Sequence, residues 1–212
     1  IFRLMQEKLK AFERLLRIMD DLRDKCPWDK KQTMESLRHL TIEETYELTD
    51  AILAGNMAEI KKELGDVLLH IVFYAKIASE TNDFTITDVL NSLSDKLISR
   101  HPHIYGDVEV KDDEEVKQNW EKLKLKEGNK SVLGGVPTSL PSIIKAFRIQ
   151  DKAAQVGFDW PEIKQVWDKV DEEMLELKQE TMIENNQAKI EAEFGDLMFT
   201  MINIARHLNI NP

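Results

Sequence analysis

Residues 41–80 read TIEETYELTDAILAGNMAEIKKELGDVLLHIVFYAKIASE, and this stretch decides the fold. Its apolar residues recur at helical spacing on both sides of a single interruption, Gly55-Asn56. Gly commonly ends a helix and Asn commonly caps the next one. The stretch therefore predicts a helix over residues 41–54 and a second one, capped by Asn56, that reaches Glu80. Because the link is short, the two helices should form an antiparallel hairpin.

Acidic side chains on this hairpin are spaced so that they can converge. Glu44 and Glu47 are three residues apart on the first helix, and Glu63 and Asp66 are three apart on the second. Residues three apart share a helix face, so the four carboxylates can meet between the helices. Buried together without a cation, they would repel one another. An all-oxygen ligand set suits Mg²⁺ or Mn²⁺.

Two structural interpretations compete with a metal site at this hairpin. Acidic residues are 39 of 212, so a given four-position pattern arises by chance with a probability of roughly 0.2 over the chain. Thr41 and Glu44 also have the spacing of a capping box, which would give Glu44 a structural role. Taken alone, the first cluster leaves both a metal site and a solvated helix face open.

The second half of the chain repeats the pattern and favours the metal interpretation. Three landmarks recur: Trp28-Asp29 as Asp159-Trp160, Glu44/Glu47 as Glu173/Glu176, and Glu63/Asp66 as Glu193/Asp196. Nearly constant offsets of about 130 residues predict two tandem helical repeats. A solvated face has no reason to repeat together with its flanking Gly and apolar residues. The predicted metal ligands are Glu44, Glu47, Glu63, Asp66, Glu173, Glu176, Glu193 and Asp196.

Outside the first hairpin the chain reads as helix after helix. With only 8 Gly and 6 Pro and no strand pattern, the fold class is predicted to be all-α. The further helices are expected near residues 2–25, 87–100, 114–126, 142–156, 162–181 and 187–208. Residues 128–141 are rich in Gly, Pro and Ser and predict a linker between a domain at 1–127 and a domain at 142–212.

Composition excludes several classes of protein. The net charge of −10 argues against binding to duplex nucleic acid, which needs a basic surface. The single cysteine, Cys26, excludes a disulfide framework and favours a cytoplasmic location. The sequence lacks an apolar run of membrane length, so we expect no membrane partner. Because the chain begins at Ile1 rather than Met, its numbering is expected to start inside a longer product.

Basic and aromatic residues in the first half suit a nucleotide. Lys96 and Arg100 are four residues apart, as are Trp120 and Lys124. Lys and Arg match polyphosphate oxygens, and Trp can stack on a base. Taken singly, the cations also fit a solvated face and Trp120 fits a core position. Trp28, next to Pro27, fits an aromatic wall of the site or a structural turn equally well.

Five stretches together resemble MazG, the all-α nucleoside triphosphate pyrophosphohydrolase family. They are CPWDKKQT (26–33), LTIEETYEL (40–48), KELGDVLLHIVFYAKIA (62–78), SDKLISRHPHIYGD (94–107) and KAFRIQDKAAQVGFDW (145–160). The resemblance implies two tandem MazG-like repeats in four-helix-bundle-type homodimers. It also implies that the eight carboxylates are metal ligands and that Lys96, Arg100, Trp120 and Lys124 are substrate-side residues. Family members continue with further basic and Trp-Lys helices, so the domain at 142–212 is expected to be truncated.

The resemblance also implies a reaction, the Mg²⁺-dependent hydrolysis of (deoxy)nucleoside triphosphates to monophosphate and pyrophosphate. Water would attack the α-phosphorus, with Glu44, Glu47, Glu63 and Asp66 as the catalytic carboxylates and Mn²⁺ as an alternative metal. Lys96, Arg100 and Lys124 would offset charge on the leaving group. A different class stays open: a non-catalytic helical dimer that binds nucleotide or a partner helix and acts as a regulator.

Overall fold

The computed structural model describes residues 2–112, 115–116, 119–120, 123, 131–183 and 185–210. Over these residues the regular structure is entirely helical, which confirms the all-α prediction. The α-helices are α1 (Phe2–Lys25), α2 (Met34–Leu53), α3 (Met57–Glu80), α4 (Ile86–Arg100), α5 (Pro102–Tyr105), α6 (Ser142–Gln155), α7 (Ile163–Glu180) and α8 (Gln187–His207). None of the helices in these ranges is both long enough and apolar enough to span a membrane.

The chain divides into two compact units, Ile1–Leu97 and Ile98–Pro212. The predicted domain limits, 1–127 and 142–212 with a linker at 128–141, stay a prediction. The helix predicted over 114–126 falls largely on residues that lie outside the described part of the chain.

In the first unit, α2 and α3 pack along each other and α1 packs against α3. The buried core of this unit consists of Met19 from α1, Leu37 from α2, and Val72 and Phe73 from α3. Leu40, Leu69 and Tyr74 are partly buried and pack around that core. The hairpin that carries the first acidic cluster therefore rests on an apolar layer shared by three helices.

The turn between α2 and α3 has the chemistry that the sequence predicts. Gly55 has a φ of +64°, a left-handed conformation that residues with a Cβ adopt at a cost. Asn56 caps α3, because its side-chain oxygen accepts hydrogen bonds from the backbone N–H groups of Ala58 and Glu59. This short turn brings the end of α2 directly onto the start of α3, as predicted.

The predicted start of α2 near Thr41 is wrong, because the helix begins at Met34. Thr33 is the N-cap and forms a reciprocal capping box with Ser36. Thr41 lies inside the helix, where its hydroxyl donates to the carbonyl of Leu37. The alternative that Glu44 belongs to a capping box with Thr41 is therefore also wrong.

In the second unit α7 and α8 pack along each other, and α6 packs against α8. Its buried core contains Val166 and Val170 from α7 and Leu197 and Ile204 from α8. The limits of α6, α7 and α8 agree with the predicted ones to within a residue or so at each end. Each unit thus contains one long helix hairpin with a carboxylate-bearing face.

Candidate functional site

The first hairpin brings three carboxylates together. Glu44 extends from α2, and Glu63 and Asp66 extend from α3. One carboxylate oxygen of each residue lies within 4.8 Å of the others. That spacing lets three oxygens contact one small cation, since Mg²⁺ binds oxygen at about 2.0–2.1 Å.

Glu63 is the most buried member of this group, with 4% of its surface exposed. Its Oε1 accepts a hydrogen bond from Lys62 Nζ at 2.8 Å. Its Oε2 is buried and has no hydrogen-bond partner among the described residues. A buried carboxylate oxygen without a partner is costly, and a bound divalent cation would be the missing partner. The residues present therefore fit a hard metal ion.

The charge balance at Glu44 agrees with this fit. Burial raises the pKa of Glu44 above its usual range, and the neighbouring carboxylates of Asp66, Glu47 and Glu63 raise it further. The protein alone therefore makes the ionised form of Glu44 less favourable than it is for a free glutamate side chain. A bound cation would reverse that effect, because it stabilises all of the carboxylates in their charged form.

Glu47, the fourth predicted ligand of this cluster, is not in the three-carboxylate group. Its side chain is exposed on α2. It nevertheless lies close enough for its charge to raise the pKa of Glu44. The structure thus brings three of the four predicted residues together and places the fourth at the rim.

The second hairpin forms a similar group from Glu173 on α7 and from Glu193 and Asp196 on α8, again with one oxygen of each within 4.8 Å of the others. Glu176 lies outside this group, as Glu47 does in the first unit. Burial raises the pKa of Glu193, and the charges of Glu176 and Glu173 raise it further.

The two groups differ in their buried member and in the lysine beside it. In the second group Glu173 is the buried residue, at 5% exposure. Lys169 Nζ lies 2.8 Å from Glu173 and 2.9 Å from Glu172, and these hydrogen bonds raise the pKa of Lys169. In the first group the lysine is Lys62, next in sequence to the carboxylate it contacts.

Sequence reasoning missed both lysines. Lys169 precedes Glu172 by three residues and Glu173 by four, so helical spacing alone could have identified it. Lys62 gives no such signal, because adjacent residues on a helix do not face each other.

The predicted substrate-side residues are placed as follows. Lys96 is exposed on α4, and Arg100 is the last residue of that helix. The Arg100 guanidinium lies 5.4 Å from the centre of the Trp120 ring, a cation–π contact. Trp28 is 56% exposed and precedes a 3₁₀ turn. Lys124 lies outside the described residues.

Comparison with known proteins identifies the family. The MazG nucleotide pyrophosphohydrolase domain matches residues 32–105, which include the whole first hairpin. A nucleoside triphosphate pyrophosphohydrolase of Escherichia coli K12 is 42% identical over 211 residues, covering 94% of this chain and 79% of that protein. The chain belongs to the MazG family. A nucleoside triphosphate pyrophosphohydrolase/pyrophosphatase MazG of Thermotoga maritima is 45% identical over 213 residues, covering 98% of this chain and 80% of that protein.

A solved structure is also similar to part of the chain. It is the crystal structure of a mazG-related protein from Thermotoga maritima, with 25% sequence identity and a TM-score of 0.47. The match covers 53% of this chain and 98% of that one.

Proposed function

We propose that this chain hydrolyses nucleoside triphosphates to nucleoside monophosphate and pyrophosphate in a reaction that depends on Mg²⁺, with Mn²⁺ as a substitute. The observation that carries the proposal is the group formed by Glu44, Glu63 and Asp66, with one buried carboxylate oxygen left without a partner. The names of the MazG relatives, which describe nucleoside triphosphate pyrophosphohydrolases, support the same chemistry.

The carboxylates would act in two ways. Glu44, Glu63 and Asp66 would hold the metal, and Glu47, at the rim of the group, would complete the ligand set. When bound, the metal would neutralise phosphate oxygens and polarise the α-phosphorus. A carboxylate of the cluster would orient the attacking water and accept its proton. The new bond forms between the water oxygen and the α-phosphorus, and the bond to the bridging oxygen breaks to release pyrophosphate.

The substrate-side roles rest on the family resemblance. Lys96, Arg100 and Lys124 would offset the negative charge that develops on the leaving pyrophosphate. Trp120 and Trp28 offer aromatic surface for the base. The contact between Arg100 and Trp120 supports a shared role, because it holds a cation and an aromatic ring side by side.

We extend the proposal to the second hairpin, where Glu173, Glu176, Glu193 and Asp196 would hold metal, and to a homodimer. An exposed apolar groove of about 410 Å³ supports dimerisation. The groove lies between α6 and α8, and its lining includes Ile143, Phe194, Met198 and Phe199. Large exposed apolar surfaces commonly mark sites of association.

One experiment tests the reaction and its regiochemistry together. The protein is incubated in ¹⁸O-labelled water with a mixture of nucleoside triphosphates, with Mg²⁺ or with EDTA. We expect pyrophosphate only in the Mg²⁺ sample, with the label in the nucleoside monophosphate. Label in pyrophosphate would contradict attack at the α-phosphorus. Nucleotide binding without pyrophosphate release would instead indicate the non-catalytic regulatory dimer.

A further inference from the structure

A compact polar network joins α2 and α3 close to the first carboxylate group. Thr41 Oγ1 on α2 lies 2.7 Å from His70 Nδ1 and 2.6 Å from the Tyr74 hydroxyl, both on α3. The same Thr41 oxygen lies 3.0 Å from the carbonyl of Leu37. His70 is buried, with 7% of its surface exposed. These contacts connect two helices that also pack on each other through apolar side chains.

The three contacts of Thr41 fix the direction of each hydrogen bond. A threonine hydroxyl has one proton to donate and two lone pairs to accept with. All three contacts are satisfied when Thr41 donates to Leu37 and accepts from the Tyr74 hydroxyl and from His70 Nδ1–H. This assigns the Nδ1-protonated tautomer to neutral His70. Burial lowers the pKa of His70, which is consistent with a neutral ring.

The network lies one helical turn from the proposed metal ligands. Thr41 precedes Glu44 by three residues, and His70 follows Asp66 by four, so each pair shares a helix face. A shift of α2 along α3 would therefore break the network and separate the carboxylate of Glu44 from that of Asp66 at the same time.

The second hairpin lacks this network at the corresponding positions. The offsets of about 130 residues between the acidic motifs align Thr41 with Val170, His70 with Thr200 and Tyr74 with Ile204. Val170 and Ile204 belong to the apolar core of the second unit. The Thr200 hydroxyl donates to the Asp196 carbonyl of its own helix. Core packing of α7 and α8 thus needs no polar connection here, so this polar connection distinguishes the first unit from the second.

We propose that Thr41, His70 and Tyr74 are positioning residues that set the register of α2 against α3 and thereby keep Glu44 within bridging distance of Glu63 and Asp66. The inference rests on the proposed function, because it requires the first cluster to bind metal. Residues that orient the ligands of a metal commonly influence its affinity without contacting it.

The test measures Mn²⁺ affinity at the first cluster, with the unbound ion followed by electron paramagnetic resonance. All proteins carry Glu193→Gln and Asp196→Asn, so that the second cluster does not contribute. Thr41→Val and Tyr74→Phe each remove a hydroxyl with little change in shape. We expect the dissociation constant for Mn²⁺ to rise by roughly three- to tenfold in Tyr74→Phe, the effect of one lost hydrogen bond. The rise should be at least as large in Thr41→Val, which removes both hydrogen bonds between the helices.

Two further variants separate positioning from stability. Thr41→Ser keeps the hydroxyl and should restore the affinity that Thr41→Val loses. Thr49→Val is the matched control, because Thr49 also lies on α2 and its hydroxyl donates to the carbonyl four residues back, at Thr45. Its affinity for Mn²⁺ should equal that of the parent. Urea unfolding of every variant reports stability separately, and Tyr74→Phe decides the question if Thr41→Val does not fold.

The outcomes distinguish this inference from the function it rests on. Tight Mn²⁺ binding in the parent with unchanged affinity in Thr41→Val and Tyr74→Phe would overturn the inference alone. An equal loss in Thr49→Val would also overturn it, because the effect would then follow helix stability. Failure of the parent itself to bind Mn²⁺ would overturn the proposed function and the inference with it.

Discussion

Replacing Glu63 by Gln and Asp66 by Asn removes two of the three carboxylates that meet in the first hairpin while leaving the side chains nearly unchanged in size. If the cluster binds metal, the unchanged protein should be stabilised by Mn²⁺ and the double variant should lose that stabilisation. All proteins in this experiment also carry Glu193→Gln and Asp196→Asn, so that metal binding at the second cluster does not contribute.

The size of the expected shift follows from mass action. A ligand present at about 100 times its dissociation constant stabilises the folded state by about 2.7 kcal/mol. In a protein of this size, about 1 kcal/mol changes Tm by roughly 2–4 °C. Mn²⁺ should therefore raise the Tm of the protein with an unchanged first cluster by about 5–10 °C. In EDTA the double variant should melt above its parent, because the repulsion that Asp66 and Glu63 exert on Glu44 is gone.

The assay is thermal unfolding followed by circular dichroism, in EDTA and in a Mn²⁺ series. Glu59→Gln serves as the matched control, since Glu59 is exposed on α3 one turn before Glu63. It should keep the full Mn²⁺-induced shift. If the double variant keeps that shift as well, the three carboxylates form a solvated helix face and the metal assignment is refuted.

Three further predictions address the electrostatics. Glu44→Gln in EDTA should raise Tm near neutral pH and leave it unchanged near pH 4. The pKa of Glu44 is higher in the folded state than in the unfolded state, so the protonated side chain stabilises the fold. That stabilisation is complete below about pH 4 and is lost as the pH rises through the folded-state pKa. Equal shifts at both pH values would contradict this. Lys169→Met should lower Tm in EDTA, because the buried Glu173 carboxylate then lacks the positive charge of Lys169. Mn²⁺ should restore most of that loss in Tm. A loss that Mn²⁺ leaves unchanged argues against a metal site in the second cluster. Arg23→Met should lower the free energy of unfolding in urea by about 2 kcal/mol, because the Arg23 guanidinium is mostly buried and donates to a carboxylate and to loop carbonyls. Arg17→Met should change it little, because Arg17 belongs to an exposed ion pair.

The hairpin was predictable because its signals are local. Gly55 and Asn56 supply a left-handed residue and a helix cap, and both appear in the structure as the sequence indicates. The start of α2 was missed for a reason that is also local. Its capping box has Ser36 rather than Glu or Gln as the reciprocal residue, so the usual signature is absent at Thr33.

The candidate site was predictable only in part. Residue spacing determines which residues share a helix face, but it does not determine which of their side chains reach the neighbouring helix. Residues three apart differ by about 60° around the helix axis, so the packing of α2 on α3 decides which one reaches the partner helix. Glu44 does so and Glu47 does not. The contacts between Thr41, His70 and Tyr74 depend on the same packing, and no motif in the sequence connects them.

The most direct test of metal-dependent hydrolysis is the rate of pyrophosphate release when one carboxylate of each cluster is neutralised, Glu63 in the first and its repeat counterpart Glu193 in the second. We predict that Glu63→Gln combined with Glu193→Gln lowers the rate at saturating Mg²⁺ by roughly 100-fold or more, since each change removes a ligand of a metal that positions the reaction. The control combines Glu59→Gln with Glu191→Gln, two exposed residues on the same helices, and should retain the full rate. A full rate in the Glu63/Glu193 variant would show that the carboxylate clusters do not carry the reaction.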